Sequence, residues 1–238
     1  MEVLTNKNVL VVGATGGIGA ETVRLLRGSQ ANLFLTSRNL QSLLALADQV
    51  GVPHSQCFAM DITDPQQVEV VAQKIHALVP QLDVLINTAG VGIIKSLEDL
   101  SYEDFDHTIN VNLKGTFYLL KQFLPPMKTA KKGLIINLPG VLGKSPMAGA
   151  AAYSASKYGL NGMLKSVREE LKRTDIRITN IYMGGVDTPF WDNIDLRVQR
   201  DKFILAKEAA RSIWFLCQQP SSGVVSEMVI QPFNHQVL

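Results

Sequence analysis

The sequence predicts an α/β fold: an open, doubly wound parallel sheet of about seven strands with helices on both faces, three layers in the order α/β/α. Three observations carry that expectation. Short apolar, β-branched runs alternate with amphipathic stretches of about ten to twenty residues, as right-handed βαβ units require. The first run stops at a glycine cluster. No repeat, low-complexity tract or Pro/Gly/Ser-rich linker separates the units, so residues 1–238 read as a single domain.

Asn8–Val12 (NVLVV) is almost wholly apolar and ends at Gly13, the signature of a strand covered on both faces. Ile18–Arg27 carries Ala20, Val23, Leu25 and Leu26 on its apolar side and reads as a helix. Ala31–Thr36 is a second strand and Leu40–Val50 a second helix. Ser55–Met60 and Leu82–Ile86 are the next strands. Between them a helix opens at Asp64-Pro65, a capping carboxylate followed by proline in the first helical position. A long helix is expected from Tyr102 to Met127, closed by Pro125 and Pro126. There follow a strand at Leu134–Leu138, a helix at Ala151–Arg173, a strand at Ile176–Ile181, a helix at Lys207–Gln218 and a last strand at Glu227–Ile230.

Composition excludes several functional classes. With 46% apolar and 18% charged residues the chain has the material for a large core and is not a disordered one. Its 23 basic and 21 acidic residues leave a net charge of +2, too mild for a nucleic-acid or anionic-membrane partner. Cys57 and Cys217 are too few for a disulfide framework. His54, His76, His107 and His235 match no ligand spacing, so no metal is expected. Met1-Glu2-Val3-Leu4 has no basic leader, and no run of ~20 apolar residues occurs. A cytoplasmic protein acting on a small molecule is the expectation.

Gly13-Ala-Thr15-Gly16-Gly17-Ile18-Gly19 joins the first strand to the first helix. A tight turn there brings helix N-terminal N–H groups close to a pyrophosphate, so the cluster points to a dinucleotide. The spacing is G-x-x-x-G-x-G, and a glycine-rich turn without a ligand is the competing interpretation. At the end of the second strand, Thr36-Ser37-Arg38-Asn39 offers no carboxylate for a ribose 2′-hydroxyl. Arg38 could instead pair with a 2′-phosphate, aided by Ser37 and Thr15, unless it is an arginine on a solvated loop. NADP(H) is therefore expected over NAD(H).

Tyr153-Ser-Ala-Ser-Lys157 opens a predicted helix, and residues four apart share one face. An ammonium beside a phenol favours phenolate and lowers its pKa, which suits a general acid–base at neutral pH. Y-x-x-x-K alone is common by chance. Its place after the fifth strand, behind the glycine cluster, gives it weight.

Taken together these motifs resemble the short-chain dehydrogenase/reductase family, from about residue 7 to 231. Gly13, Gly17 and Gly19 match its cofactor loop, with Val12 where threonine is usual. Asp61-Ile62 matches the pair that reads adenine, and Asn87-Thr-Ala89-Gly90 resembles the N-N-A-G segment. Asn110-Val-Asn112 matches the segment with the catalytic asparagine, at Asn112. Met183-Gly184-Gly-Val186-Asp-Thr188 resembles the loop that grips the nicotinamide, with methionine replacing proline. The resemblance implies a Rossmann-like fold, with Tyr153, Lys157 and Asn112 catalytic. It also implies that Tyr153 and Lys157 contact the cofactor, that Lys157 depresses the Tyr153 pKa, and that Asn112 interrupts its helix and holds a water.

One departure stands out. Relatives place a serine thirteen residues before the tyrosine, where this chain has Gly140 after Pro139. A backbone N–H of Gly140, an ordered water or Ser145 could replace that donor. The expected activity is NADP(H)-dependent reduction of a carbonyl on a small, largely apolar substrate. The alternatives are an NADP-binding sensor or scaffold without turnover, and a reductase of C=N or C=C bonds. Ile93, Ile94, Leu142, Met147, Phe190 and Trp191 fall on strand-end loops, where open sheets bind ligands, and Thr188–Arg200 is expected to cover the pocket. The resemblance further implies a homodimer or homotetramer through the Asn112–Phe123 and Tyr153–Leu171 helices. Gly115, Phe117, Leu119, Leu160 and Met163 would suit that packing, though buried helices within one chain look the same.

Overall fold

The computed structural model describes residues 4–238 apart from 193, 195 and 221. Along the chain run β1 (Asn8–Val12), α1 (Gly17–Leu26), β2 (Asn32–Ser37), α2 (Leu40–Val50), β3 (Cys57–Ala59), α3 (Pro65–Leu78), β4 (Val84–Asn87), α4 (Tyr102–Ile109), α5 (Gly115–Ala130), β5 (Lys132–Asn137), α6 (Ala151–Glu170), β6 (Asp175–Met183), β7 (Val186–Asp187), β8 (Ile204–Leu205), α7 (Ala206–Cys217) and β9 (Glu227–Ile230).

Seven of the strands form one parallel sheet in the order β3-β2-β1-β4-β5-β6-β9. β1 lies inside it because Val9, Leu10, Val11 and Val12 are all buried, which only a strand covered on both faces allows. Their side chains alternate. Val9 and Val11 join Val23, Leu26, Leu43 and Ile213 on the face under α1, α2 and α7. Leu10 and Val12 join Ile75, Leu119, Phe123 and Leu164 on the face under α3, α5 and α6. Each such fully buried side chain contributes about 1.5–3 kcal/mol. The winding direction reverses between β1 and β4, so a crevice opens beyond their carboxyl ends.

The helix starts follow local chemistry. Asp64 caps α3, accepting from Gln66 N at 2.9 Å and Gln67 N at 3.1 Å, with Pro65 in the first turn. Ser101 and Asp104 form a reciprocal capping box at α4.

The long helix expected over 102–127 is not continuous. A π-helical turn at Asn110–Lys114 divides it into α4 and α5. Nor do Pro125 and Pro126 close it: α5 runs on to Ala130, and Lys131 ends it at φ 57°. The carbonyls deprived of donors belong to Lys121, which is exposed, and Gln122, which is half-buried, so water can serve them. Phe123, Leu124 and Met127 hold the opposite face in the core. No residue pattern announces the two-residue strands β7 and β8, which pair with each other and bracket residues 188–203.

Candidate active site

The turn after β1 is shaped by Gly13, at φ +77°, where a β-carbon would lie 2.8 Å from Ala89 N. Gly16 offers no side-chain cap to α1, leaving the first N–H groups of that helix facing the crevice. At Gly17 a β-carbon would fall 2.5 Å from Thr188 Cβ, so the glycine turn and the loop after β6 meet. Thr88 ties the turn to β4, its hydroxyl donating to Val12 O at 2.7 Å and Gly13 O at 3.2 Å.

Two clefts share Thr15, Gly16, Thr88 and Gly90 in their walls. The smaller, about 230 Å³, is bounded by Gly13, Ser37, Arg38, Asp61, Ile62 and Ala89. Thr15 and Ser37 hydroxyls stand 2.7 Å apart, beside the exposed Arg38. Asp61 Oδ1 accepts from Thr63 N at 2.8 Å and Thr63 Oγ1 at 2.7 Å. Three of the expected cofactor residues, Asn39, Asn87 and Lys157, line neither cleft. Asn39 caps α2, accepting from Ser42 N at 2.9 Å. Asn87 is buried, donating to Thr116 Oγ1 and accepting from Ala89 N, and so shapes the segment that reaches Gly90.

The larger cleft, about 750 Å³, holds Gly17, Ile18, Gly19, Tyr153, Gly184, Val186 and Thr188 in its walls. Tyr153 lies on the first turn of α6. One turn on, Lys157 is buried, its Nζ donating to Leu138 O at 3.0 Å and lying 5.5 Å from the centre of the Tyr153 ring. The expected lowering of the Tyr153 pKa is not what the surroundings produce. Burial pushes the phenol up to about 12 and the Lys157 ammonium down to about 8, since desolvation disfavours each charged form.

Asn112 sits in the π turn, so the helix is interrupted as expected. Its side chain is committed to protein partners: Oδ1 accepts from Val91 N at 2.9 Å, while Nδ2 donates to Val91 O at 2.9 Å and Ser156 Oγ at 3.0 Å. Ser156 in turn donates to Tyr153 O at 2.7 Å. Asn112 thus fastens the segment after β4 to α6. A β-carbon on Gly90 would lie 3.3 Å from Asn112 Oδ1 and 3.5 Å from Lys157 Nζ, so these groups converge. Ser156, Thr88 and Thr116 were not singled out from the sequence. Ser156, within the Y-S-A-S-K run and three residues after Tyr153, was the one that spacing could have found.

Gly140 does face Tyr153: a β-carbon there would lie 3.9 Å from Tyr153 Oη. It brings no hydroxyl, and its N–H is not a free replacement donor because it is directed to Ile181 O at 3.3 Å. Ser145 lies in the wall of the larger cleft. Downstream, Asn161 Nδ2 donates to Gly143 O, Tyr182 donates to Asn161 Oδ1, and Lys144 pairs with Glu227 at 2.5 Å, fastening the 140–145 turn to α6, β6 and β9.

Among the expected pocket residues, Leu142, Met147, Phe190 and Trp191 line the larger cleft, whereas Ile93 and Ile94 do not. Leu196, Arg197, Val198 and Gln199 add to its wall, in keeping with a covering segment, although residues 193 and 195 lie outside the described ones. Arg200 fastens that segment, donating to Asp187 Oδ1 at 2.7 Å, Asp192 Oδ1 at 2.6 Å and Thr188 O at 3.0 Å. Of the residues suited to subunit packing, Leu119 and Leu160 belong to the core of this chain and Gly115 packs on Ile62, while Phe117 is exposed and Met163 is partly buried. None of the described helices is long and apolar enough to cross a membrane.

The sequence profile described as short chain dehydrogenase matches residues 7–199. An uncharacterized oxidoreductase of Staphylococcus epidermidis is 31% identical over 232 residues, covering 98% of this chain and 100% of that one. Another, of Staphylococcus saprophyticus, is 33% identical over 246 residues and covers 100% of both. Among solved structures, a metagenomic short-chain oxidoreductase in complex with NADP superposes with a TM-score of 0.83 at 31% identity, over 97% of this chain and 99% of that one. An alcohol dehydrogenase from the archaeon Thermococcus sibiricus, complexed with 5-hydroxy-NADP, gives 0.85 at 25% identity, over 97% and 98%.

Proposed function

This chain belongs to the short-chain dehydrogenase family and is an oxidoreductase of that type; on that premise we propose that it reduces a carbonyl group of a small, largely apolar substrate with NADP(H) in preference to NAD(H). The observation that carries the proposal is the convergence of Tyr153 and the glycine turn on one apolar-walled cleft, with the buried Lys157 Nζ 5.5 Å from the centre of the Tyr153 ring. The glycine turn, the open start of α1 and the two connected clefts fit an extended dinucleotide. Its pyrophosphate would lie against Gly16–Gly19, and its nicotinamide end among Gly184, Val186 and Thr188. Asp61 and Ile62 would receive the adenine, and Arg38, Ser37 and Thr15 a 2′-phosphate. When bound, the nicotinamide supplies the hydride.

The chain's own part is the proton. Burial keeps Tyr153 protonated, so its Oη is the acid that donates to the substrate oxygen. The Lys157 ammonium, held by Leu138 O, stands beside the phenolate that remains and offsets its charge. Asn112 and Ser156 keep α6 and the Gly90 segment in register, so that Tyr153 is held in the cleft wall.

The position of Gly140 supports a second reading. With no hydroxyl there and its N–H engaged, the substrate oxygen has one side-chain donor, Tyr153, near that glycine. A C=N substrate depends less on a second oxygen-binding donor. The test follows NADPH oxidation against ketones, aldehydes, diketones, quinones and imines, with NADH as the cofactor control. Turnover of carbonyls that is abolished in Tyr153→Phe supports the first reading, and turnover confined to imines the second. Tight NADPH binding without any turnover would overturn both and leave a sensor.

A further inference from the structure

Four aromatic rings run outward from the proton donor. Tyr153 and Phe190 have ring centres 6.1 Å apart, Phe190 and Trp191 5.4 Å, and Trp191 and Phe203 5.0 Å. All four line the larger cleft. Trp191 is fixed within this row by its indole N–H, which donates to Val186 O at 2.9 Å.

Both flanks of the row rest on glycines. A β-carbon on Gly92 would overlap the tip of the Phe190 ring and come within 3.0 Å of its Cε2. A β-carbon on Gly185 would lie 2.8 Å from Phe203 Cε1. Neither glycine has a positive φ, so the backbone does not require them. What requires them is the flat seat each gives to a ring. The cleft wall also includes Leu142, Met147 and Met183, flexible apolar side chains that adapt to a planar guest.

Resting on the carbonyl-reductase reading above, we propose that Phe190, seated on Gly92, is the specificity-determining residue of this site, and that its substrates are carbonyl compounds conjugated to a flat ring: aryl ketones and aryl aldehydes. A carbonyl oxygen that accepts from Tyr153 Oη brings its aryl substituent beside Phe190, the neighbouring ring in the row. Offset or edge-to-face ring contacts favour such a substituent over a saturated ring of the same size by about two- to tenfold.

Acetophenone and cyclohexyl methyl ketone form the test pair, since they share the methyl ketone and differ only in the ring. Turnover with NADPH is measured alongside binding to the NADP-loaded protein. Binding is read from the emission of Trp191 in a Trp214→Phe background, which removes the other tryptophan of the chain. The wild type is expected to prefer acetophenone in both readouts. Phe190→Leu keeps the apolar bulk and removes the ring face; Gly92→Ala displaces the ring. Each is expected to lower the preference about two- to tenfold, and the double variant no further, because both act on one contact. Equal binding of the two ketones, binding of neither, an unchanged preference in Phe190→Leu, or additive losses in the double variant would each overturn the proposal. If neither ketone turns over while the binding preference and its loss in the variants persist, carbonyl reduction fails, and what stands is Phe190 as the residue that selects an aryl ligand. If both are reduced without preference, the reverse holds.

Discussion

Replacing Gly140 by alanine is expected to destabilise the fold through its backbone alone. The residue has φ +69° and ψ 169°, a region essentially closed to side chains. Holding a non-glycine residue there costs of order 1–3 kcal/mol. Crowding adds nothing, because the nearest atoms a β-carbon would meet are Met183 O at 3.5 Å and Tyr153 Oη at 3.9 Å. A cost of about 2 kcal/mol in a chain of this size corresponds to a fall in Tm of about 4–8 °C. Gly140→Ser carries the same strain and adds a hydroxyl close to the Tyr153 phenol. Comparing the two variants by thermal denaturation and by kcat/KM separates backbone from chemistry. Both should lose the same stability. The serine variant should exceed the alanine variant in carbonyl reduction, by no more than the ~10²–10³ that such a donor supplies elsewhere. A Gly140→Ala protein melting within about 1 °C of wild type would refute the strain argument.

Other expectations follow from the same geometry. Arg38→Glu should raise the KM for NADPH about 10- to 100-fold and leave that for NADH nearly unchanged, the size of a lost charge-assisted pair; equal effects on both cofactors would remove Arg38 from the 2′-phosphate. Lys157→Met should abolish reduction yet raise resistance to urea at pH 7, because burial lowers the folded-state pKa to about 8. Between that value and the ordinary lysine pKa of about 10.4 the unfolded chain binds the extra proton, so this residue's penalty is fully present below pH 8 and fades as pH rises above it. The stabilising effect of Lys157→Met should therefore shrink in alkali. For the same reason, carbonyl reduction by the wild type should be level below pH 8 and decline above it, as Lys157 loses its charge. Arg200→Ala removes the ties to Asp187, Asp192 and Thr188 O, and should hasten proteolytic cleavage within residues 188–203 while leaving the Tm close to that of wild type.

Much of the architecture was legible because it rests on local rules. Strands buried on both faces, such as Val9–Val12, must be apolar throughout, and Asp64-Pro65 can hardly be anything but a helix start. The convergence of Thr15, Ser37 and Arg38 was likewise visible, since strand ends and the glycine turn share one edge of a parallel sheet. The prolines misled, because the carbonyls they leave without donors belong to exposed Lys121 and half-buried Gln122, where water can serve them, and that exposure is a tertiary property. The direction of the Tyr153 and Lys157 shifts was also hidden. Spacing shows that a cation stands near a phenol, while only packing shows that burial dominates both.

The sequence by itself determined the winding of the sheet, the glycine turn and the placing of Tyr153 and Lys157 one turn apart on a helix, because hydrophobic period, turn chemistry and residue type act over a few neighbouring positions. The tertiary structure alone decided what depends on residues distant in the chain. It set Gly140 in a conformation that serine would strain and turned its N–H toward Ile181. It spent the Asn112 side chain on Val91 and Ser156, and laid Phe190 on Gly92. Each of these is a contact between segments brought together only when the sheet closes its layers, and no periodicity records them.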